Sequence, residues 1–253
     1  MRNFLCVLLR ALGCSVLFGG VLMNSAAAAS PAPLRHLVYT FDVSITSTTS
    51  IHSSGIGTTG SGVADYQGGV GDKGTITADV IAATADKGLV IDVSEQARND
   101  RSATVVRCAV YGDGRVFYDT TRKVNDEEMS LLRVLGRDFV DPATLDANNH
   151  WRIANSSPAL DISADYTIKS NTNGILQIDL QRVLKIKGAQ ASDTTTDGSI
   201  VYNLTDEVPN QVREDTMERS NGGISGDTTL HTQIELKLAS DSMQMKRQAG
   251  AGT

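Results

Sequence analysis

The sequence predicts a mainly β (α+β) fold: a curved, half-barrel-like antiparallel β-meander packed around one apolar helix at about 125–135. Three observations support this prediction. Apolar and polar residues alternate with a period of two in several long segments, which is typical of half-buried strands with one solvated face. Turn-forming residues separate neighbouring segments, and a single segment carries the start signals of a helix.

The alternation is clearest in three segments. In the first, Leu37, Tyr39, Phe41, Val43 and Ile45 share one face, and the same pattern recurs at 176–187 and 230–238. Turn residues at 86–88, 112–114, 171–174 and 196–198 predict hairpins between consecutive strands. Weaker strands are predicted at 74–84, 88–95, 102–111, 115–119, 164–169, 199–204 and 211–219.

The segment 125–136, NDEEMSLLRVLG, carries the helix signals. Asn125 is a good N-cap and Glu128 occupies the capping-box position. Asp126, Glu127 and Glu128 lie in the first turn, where the helix dipole favours negative charge. Gly136 is the expected C′ residue. We interpret the three acids as helix-start residues, because consecutive acids diverge in direction whereas a metal needs convergent ligands.

The helix is apolar around more than half of its circumference, with only Ser130 and Arg133 as a polar face in its body. Such a width predicts a helix enclosed on several sides. An irregular stretch containing Phe139 and Trp151 follows the helix, and we expect it to continue the layer that the helix forms over the sheet. The hypothetical ligand-lining residues are therefore Met129, Leu132, Leu135, Phe139 and Trp151.

Residues 1–29 have the layout of a signal peptide, with Arg2 and Arg10 before an apolar run at 11–23 and a small-residue stretch ending at Ala29. A lipidated Cys14 is the alternative, disfavoured because its box precedes the end of the apolar run. The prediction is an exported protein, periplasmic or extracellular and of bacterial type, without a transmembrane segment after signal removal.

Residues 30–253 are predicted to form a single mature β-rich domain. The Gly/Ser/Thr-rich stretch at about 46–74 is expected to be a flexible loop, with a pair of poorly packed edge strands as the alternative. Residues at about 241–253 are expected to form a frayed C-terminal tail.

Charge and cysteine content argue against several kinds of partner and against a disulfide-stabilised fold. The chain has 23 Lys and Arg against 29 Asp and Glu; two of the basic residues lie in the signal, which leaves 21 and a mature net charge of −8. Such a surface does not favour nucleic acid or anionic lipid headgroups. Cys108 is the only mature cysteine, so no internal disulfide is expected. Its apolar strand predicts a small buried hydrophobe rather than a reactive thiol.

The sequence contains no recognisable catalytic or metal motif. The four histidines lack metal-site spacing, and residues 193–204 match a calcium loop only partly, with Leu204 in place of the bidentate Glu. We therefore expect no cofactor, no metal, no catalytic residue and no enzymatic activity.

Three functions remain open on the sequence. The first is a non-enzymatic binding or carrier protein for an apolar small molecule or lipid, held between the sheet and the helix. The second is a structural or surface-interaction protein with a filled core, which would make its contacts through the 46–74 segment. The third and least favoured is a hydrolase that uses His150 with Asp146 or Asp141.

Overall fold

Eleven strands and the short helix of the meander lie within the residues that the structure, a computed structural model, describes. The described residues all lie in one compact unit. They are 32–53, 62–86, 88–98, 104–119, 124–188, 191–221 and 227–243. The predicted signal peptide and residues 244–253 lie outside them.

Most strands follow the predicted alternation and are longer than expected, whereas β4 and β5 are shorter than predicted and β6 was not predicted. Their bounds are β1 Arg35–Ser53, β2 Gly62–Ala83, β3 Leu89–Ala97, β4 Val106–Val110, β5 Val116–Tyr118, β6 His150–Ser156, β7 Leu160–Thr172, β8 Ile175–Ile186, β9 Ser192–Asn203, β10 Val208–Asn221 and β11 Asp227–Asp241. The helix α1 spans Asp126–Leu132, and a 3-10 turn spans Pro142–Thr144.

All eleven strands form one antiparallel sheet in the order β5-β4-β3-β2-β1-β11-β10-β9-β8-β7-β6. This confirms the predicted mainly β meander with one short helix. The order consists of two meanders, β1 to β5 and β6 to β11, joined by pairing of β1 with β11. The sheet is therefore open, with β5 and β6 at its two edges.

This order explains where the helix lies. Because β5 and β6 occupy opposite edges, the described part of their connection, residues 124–149, lies across one face of the sheet. We call this segment the crossover and the face that it covers the inner face. The helix α1 lies in the crossover and contacts β3, β10 and β11.

The inner face carries the apolar half of the strand alternation. Tyr39, Ile76, Ile91 and Ile200 are completely buried there, and Leu131 and Leu132 of α1 are equally buried against them. The outer face carries paired charges such as Arg107 with Asp92. Burial of these apolar side chains drives the packing of the crossover onto the sheet.

The predicted helix start is confirmed. The backbone N–H of Asn125 donates to Glu128 Oε2 at 2.9 Å, which is the capping-box hydrogen bond of the Glu at N3. The predicted helix end is wrong, because α1 stops at Leu132 and not before Gly136. Gly136 instead lies against the backbone of Tyr111, and a Cβ atom there would come closer than 3.0 Å to the Tyr111 carbonyl oxygen.

The expectation of a flexible loop at about 46–74 is wrong for its two ends. Residues 46–53 belong to β1 and 62–74 to β2, paired from Ser53↔Gly62 to Phe41↔Gly74. The alternative of paired strands describes this segment better. Residues 46–50 also pair with β11, so tertiary pairing outweighs the low strand propensity of Gly and Ser. Residues 54–61 lie outside the described residues.

Three other expectations are corrected. Trp151 lies on strand β6 and not in an irregular stretch, and residues 196–198 lie inside β9 instead of forming a turn. Asp241 is not frayed, since its carboxylate receives two hydrogen bonds from Arg35 at 2.6 and 3.1 Å. Cys108 is buried as predicted, and burial first of all raises the pKa of its thiol to about 11.

Replacement of Gly136 by Ala tests the close approach of the crossover to the β4–β5 turn. Because the clashing atom is a backbone oxygen, the strain cannot be relieved by a side-chain rotation. We expect the free energy of unfolding to fall by about 2–3 kcal/mol in chemical denaturation.

The matched control is Gly68→Ala on β2, where a Cβ atom would lie 3.6 Å from the nearest atom, an ordinary contact. This control should change the free energy of unfolding by less than about 0.5 kcal/mol. Equal effects of the two substitutions would contradict the packing described for Gly136.

Candidate functional site

The five hypothetical ligand-lining residues do not converge on one cavity. Leu132, Leu135, Phe139 and Trp151 are buried in the core, and Met129 is half-buried. Met129 and Leu135 border two different pockets. The region around Phe139 is filled by aromatic side chains. Its ring makes edge or tilted contacts with Trp151, Tyr166 and Tyr202 at centroid distances of 5.2–5.7 Å.

The first pocket, which we call the apolar pocket, has a volume of about 340 Å³ and lies beside Leu135. Nine of its twelve lining residues are apolar. Leu34 and Met243 are among them and are 61% and 39% exposed. The lining consists of Leu34, Arg35, Leu37, Val80, Ala83, Leu89, Ile91, Leu135, Arg137, Glu207, Val208 and Met243.

The second pocket, which we call the helix pocket, has a volume of about 160 Å³ and lies between α1 and strands β7 to β11. Met129, Ser130 and Arg133 of the helix segment border it. The two pockets share no lining residue. The sheet contributes Ile162, Arg182, Leu184, Thr194, Thr196, Glu214, Thr216, Glu218, Leu230, Thr232 and Ile234, and Asp126 completes the lining.

Arg182 and Glu214 form a buried ion pair under the helix. The guanidinium donates to both carboxylate oxygens, at 3.1 and 2.7 Å, and Ser130 Oγ donates to Glu214 Oε2 at 2.8 Å. Burial favours the neutral form of Glu214, but the charge and hydrogen bonds of Arg182 outweigh it and hold the pKa of this carboxyl below its usual range. Both oxygens of Glu214 are therefore already engaged.

The register of the sheet builds a polar row beside this pair. Arg182 pairs with Thr196, Thr196 with Thr216, and Thr216 with Thr232 across β8 to β11. The hydroxyls of Thr196 and Thr216 are 3.0 Å apart. Along β9, the inner face thus changes from apolar at the buried Ile200 to polar at Thr196, four residues away.

Arg133 is the second cation of the helix pocket. Arg133 is half-buried; burial of its guanidinium first, and then the nearby charge of Arg182, lowers its pKa to about 10, while the charges of Glu214 and Asp126 act in the opposite direction. Within the described part of the chain, its guanidinium has neither a hydrogen bond nor an ion pair. Arg133 remains protonated at neutral pH, so it brings an unpaired positive charge to the pocket.

Carboxyl groups crowd the start of α1. Glu95 of β3 hydrogen-bonds to Glu127, and Asn125 Nδ2 donates to Glu95 Oε2 at 3.0 Å. Burial first, and then the proximity of Glu95, raises the pKa of Glu127 to about 7. A shared proton therefore holds the helix start against β3 at acidic pH. In the described ranges, no group of three or more His, Cys, Asp or Glu side chains is placed to hold a metal ion.

His150 lies at the start of β6 between two carboxylates. Its Nε2 is 3.1 Å from Asp165 Oδ1, and its Nδ1 is 3.4 Å from Asp146 Oδ2. Asp141 is engaged elsewhere, because its side chain accepts from the backbone N–H of Ala143. The contacts of the His150 ring are those of a surface ion-pair cluster, and the hydrolase hypothesis gains no nucleophile from them.

Arg182 and Glu214 were not predicted from the sequence. A signal was present, because each lies on the buried phase of its strand, two positions from Leu180 and Val212 respectively. A charged residue on an apolar strand face indicates a buried partner. Ser130 and Arg133, which were predicted to be an ordinary polar helix face, both border the helix pocket.

The comparisons with known proteins are sparse. No known protein family matches the chain, and no curated protein matches it by sequence. Among solved structures, lipovitellin, studied for its lipid–protein interactions, has a similar strand arrangement with a TM-score of 0.44 and 9% identity. The match covers 83% of this chain and 25% of the lipovitellin chain, so our chain spans about a quarter of that protein. Of the helices that the structure describes, none is long and apolar enough to span a membrane.

Replacement of Arg182 by Met tests the buried ion pair. The substitution leaves the Glu214 charge buried without its main partner, so we expect a loss of about 3 kcal/mol in the free energy of unfolding. The control is Arg213→Met, which removes an exposed guanidinium paired with Glu235 on the outer face and should cost less than about 1 kcal/mol. Equal losses of unfolding free energy in the two variants would show that Arg182 does not stabilise the buried charge of Glu214.

Replacement of Glu127 by Gln tests the shared proton. Because the pKa of Glu127 is raised in the folded state, the folded protein holds this proton between about pH 4.5 and 7 while the unfolded chain releases it. The wild-type stability therefore falls as the pH rises through this window. In Glu127→Gln the free energy of unfolding should fall less over this pH range. At pH 8 the variant should be more stable than wild type by about 1 kcal/mol, a value that allows for solvent screening of this partly exposed group.

Glu235→Gln provides a control of opposite sign. Its pKa is lowered, mainly by hydrogen bonding from Arg213, so its contribution to stability is present at neutral pH and is lost in acid. Urea denaturation at pH 5, 6, 7 and 8 measures both variants. An unchanged pH slope in Glu127→Gln would contradict the shared proton.

Proposed function

We propose that this chain is an exported, non-enzymatic binding or carrier protein whose ligand is an apolar or lipid-like molecule held between the sheet and the crossover. The observation that carries the proposal is the apolar pocket beside Leu135. Its volume of about 340 Å³ lies within the usual range of small-molecule sites, about 300–1,000 Å³. A carrier needs such a pocket and no reactive group.

The lining of the apolar pocket suits a ligand without strong charge. Nine apolar side chains face it, and the guanidinium of Arg35 is already bound to Asp241 and to the carbonyl oxygen of Asp206. Arg137 and Glu207 are exposed residues on its border. Burial of an apolar ligand would remove the exposed surfaces of Leu34 and Met243 from water, worth about 25 cal/mol for each Å² covered.

A surface-interaction protein is the second candidate, and the β1–β2 hairpin favours it. In the described part of the chain, the β3 side of β2 is hydrogen-bonded only from Lys73 onward, where the Lys73 carbonyl accepts from the backbone N–H of Arg98 at 2.8 Å, so residues 62–72 pair on the β1 side alone. Val70 in this stretch is 69% exposed. An open strand edge of this kind can pair with an extended segment of another protein.

A substitution that fills the apolar pocket separates the two candidates. Ala83 is exposed at the end of β2 and lines the pocket, so Ala83→Trp would occupy it with an indole ring. We expect this variant to bind a hydrophobic fluorescent probe, 1-anilinonaphthalene-8-sulfonate, at least about tenfold more weakly than wild type, because the filled pocket leaves no room for the probe. Probe fluorescence titration measures the affinity.

Ala239→Trp is the matched control, since it places the same ring at an exposed position of β11 that lines neither pocket. Its probe affinity should equal that of wild type. If wild type binds no probe, or if Ala83→Trp binds it unchanged, the carrier proposal is wrong and the interaction protein becomes the better account.

A further inference from the structure

The helix pocket contains a guanidinium that no described side chain hydrogen-bonds. Arg133 has five N–H donors on this group and no acceptor among the described residues. Its side chain is half-buried, so these donors face the water of the pocket, and an acceptor from outside the chain would replace that water.

Neighbouring groups do not already supply the acceptor. The two oxygens of Glu214 accept from Arg182 and Ser130, so its negative charge is balanced by Arg182. Asp126 and Glu218 also line the pocket, but among the described residues neither makes a hydrogen bond or an ion pair with Arg133. Arg133 is therefore the cation of this pocket whose N–H donors remain available.

The remaining lining identifies the kind of anion. Met129, Ile162, Leu184, Leu230 and Ile234 border the same pocket, so an occupant has to be apolar over part of its length. The volume of about 160 Å³ equals that of about five water molecules at about 30 Å³ each. This is room for a carboxylate and the first methylene groups of a chain, with the rest directed through the open side of the pocket.

We propose that the helix pocket binds the carboxylate end of an acyl chain, with Arg133 as its cationic partner. A guanidinium donates two parallel hydrogen bonds to a carboxylate, which gives both charge neutralisation and orientation. The hydroxyl row of Thr196, Thr216 and Thr232 provides further polar surface in the same pocket. The apolar side chains then contact the first methylene groups.

This site goes beyond the binding proposed above, because it shares no lining residue with the apolar pocket. Either proposal can therefore fail alone. Loss of probe binding in Ala83→Trp concerns only the apolar pocket, and loss of carboxylate binding in an Arg133 variant concerns only the helix pocket.

The test is calorimetric titration of the purified full-length protein with octanoate, octan-1-ol, acetate and inorganic phosphate at pH 7. We expect octanoate to bind at least about tenfold more tightly than octan-1-ol, because only the acid is paired with Arg133. Acetate, which lacks the chain, should bind much more weakly than octanoate. Phosphate that binds as tightly as octanoate would overturn the assignment of an acyl chain.

Two variants test the role of Arg133. Arg133→Met keeps a similar length without the charge and should weaken octanoate binding at least about tenfold, with octan-1-ol unchanged. Arg133→Lys keeps the charge without the two-pronged geometry and should bind with intermediate affinity. Arg213→Met on the outer face makes the same exchange outside the pocket and should bind octanoate like wild type.

The thermal midpoint of the unliganded variants distinguishes binding from a structural role. Arg133 makes no hydrogen bond or ion pair within the described residues, so the midpoint of Arg133→Met should stay close to that of wild type, while the upward shift produced by octanoate in wild type should be lost. A large drop in the unliganded midpoint, a failure to fold, or equal binding of octanoate and octan-1-ol to wild type would each overturn the proposal.

Discussion

The path of the chain between β5 and β6 is the constraint on which the rest of the structure depends. These two strands form opposite edges of an eleven-stranded sheet, so the connection between them has to cross a whole face. A sheet that is apolar on one side has to bury that side, and the crossover provides the second layer. The leucines of α1, the aromatic side chain of Phe139 and the close approach at Gly136 follow from this requirement.

The same constraint explains the buried charges. A helix laid across a sheet has little surface left in water, so Ser130 is buried with its leucines and Arg133 is half-buried at the helix pocket. Ser130 donates to the carboxylate of Glu214, and Arg182 neutralises that carboxylate. Arg133 makes no hydrogen bond among the described residues. A guanidinium with free donors at a partly apolar pocket is a specific reason to expect a ligand, whereas an apolar core by itself is not.

Local patterns predicted the features that depend on local physics. The alternation at 37–45, 176–187 and 230–238 predicted strands because period two is a property of each strand alone. The start of α1 was predictable because a capping box involves residues three apart.

Features set by long-range pairing were not predictable from one segment. The Gly-rich stretch that forms the far part of β1 and β2 looks like a loop until its partners are known. Gly198 resembles a turn residue, yet it lies within β9, where a Cβ atom would meet the carbonyl oxygen of Arg213. The ion pair of Arg182 and Glu214 depends on the register of three strands, and the division of the five predicted lining residues between core and two pockets depends on the crossover.

The central claim is that the space between the sheet and the crossover holds a ligand with an acyl chain. Native mass spectrometry of the full-length protein purified without detergent, followed by organic extraction of the same sample, tests it most directly. The account predicts a bound species that adds a discrete mass to the chain and is recovered in the extract as an acyl-chain carboxylate. A protein that shows only the mass of its own chain, with an extract that contains no acyl compound and no gain of mass when octanoate is added, would contradict it.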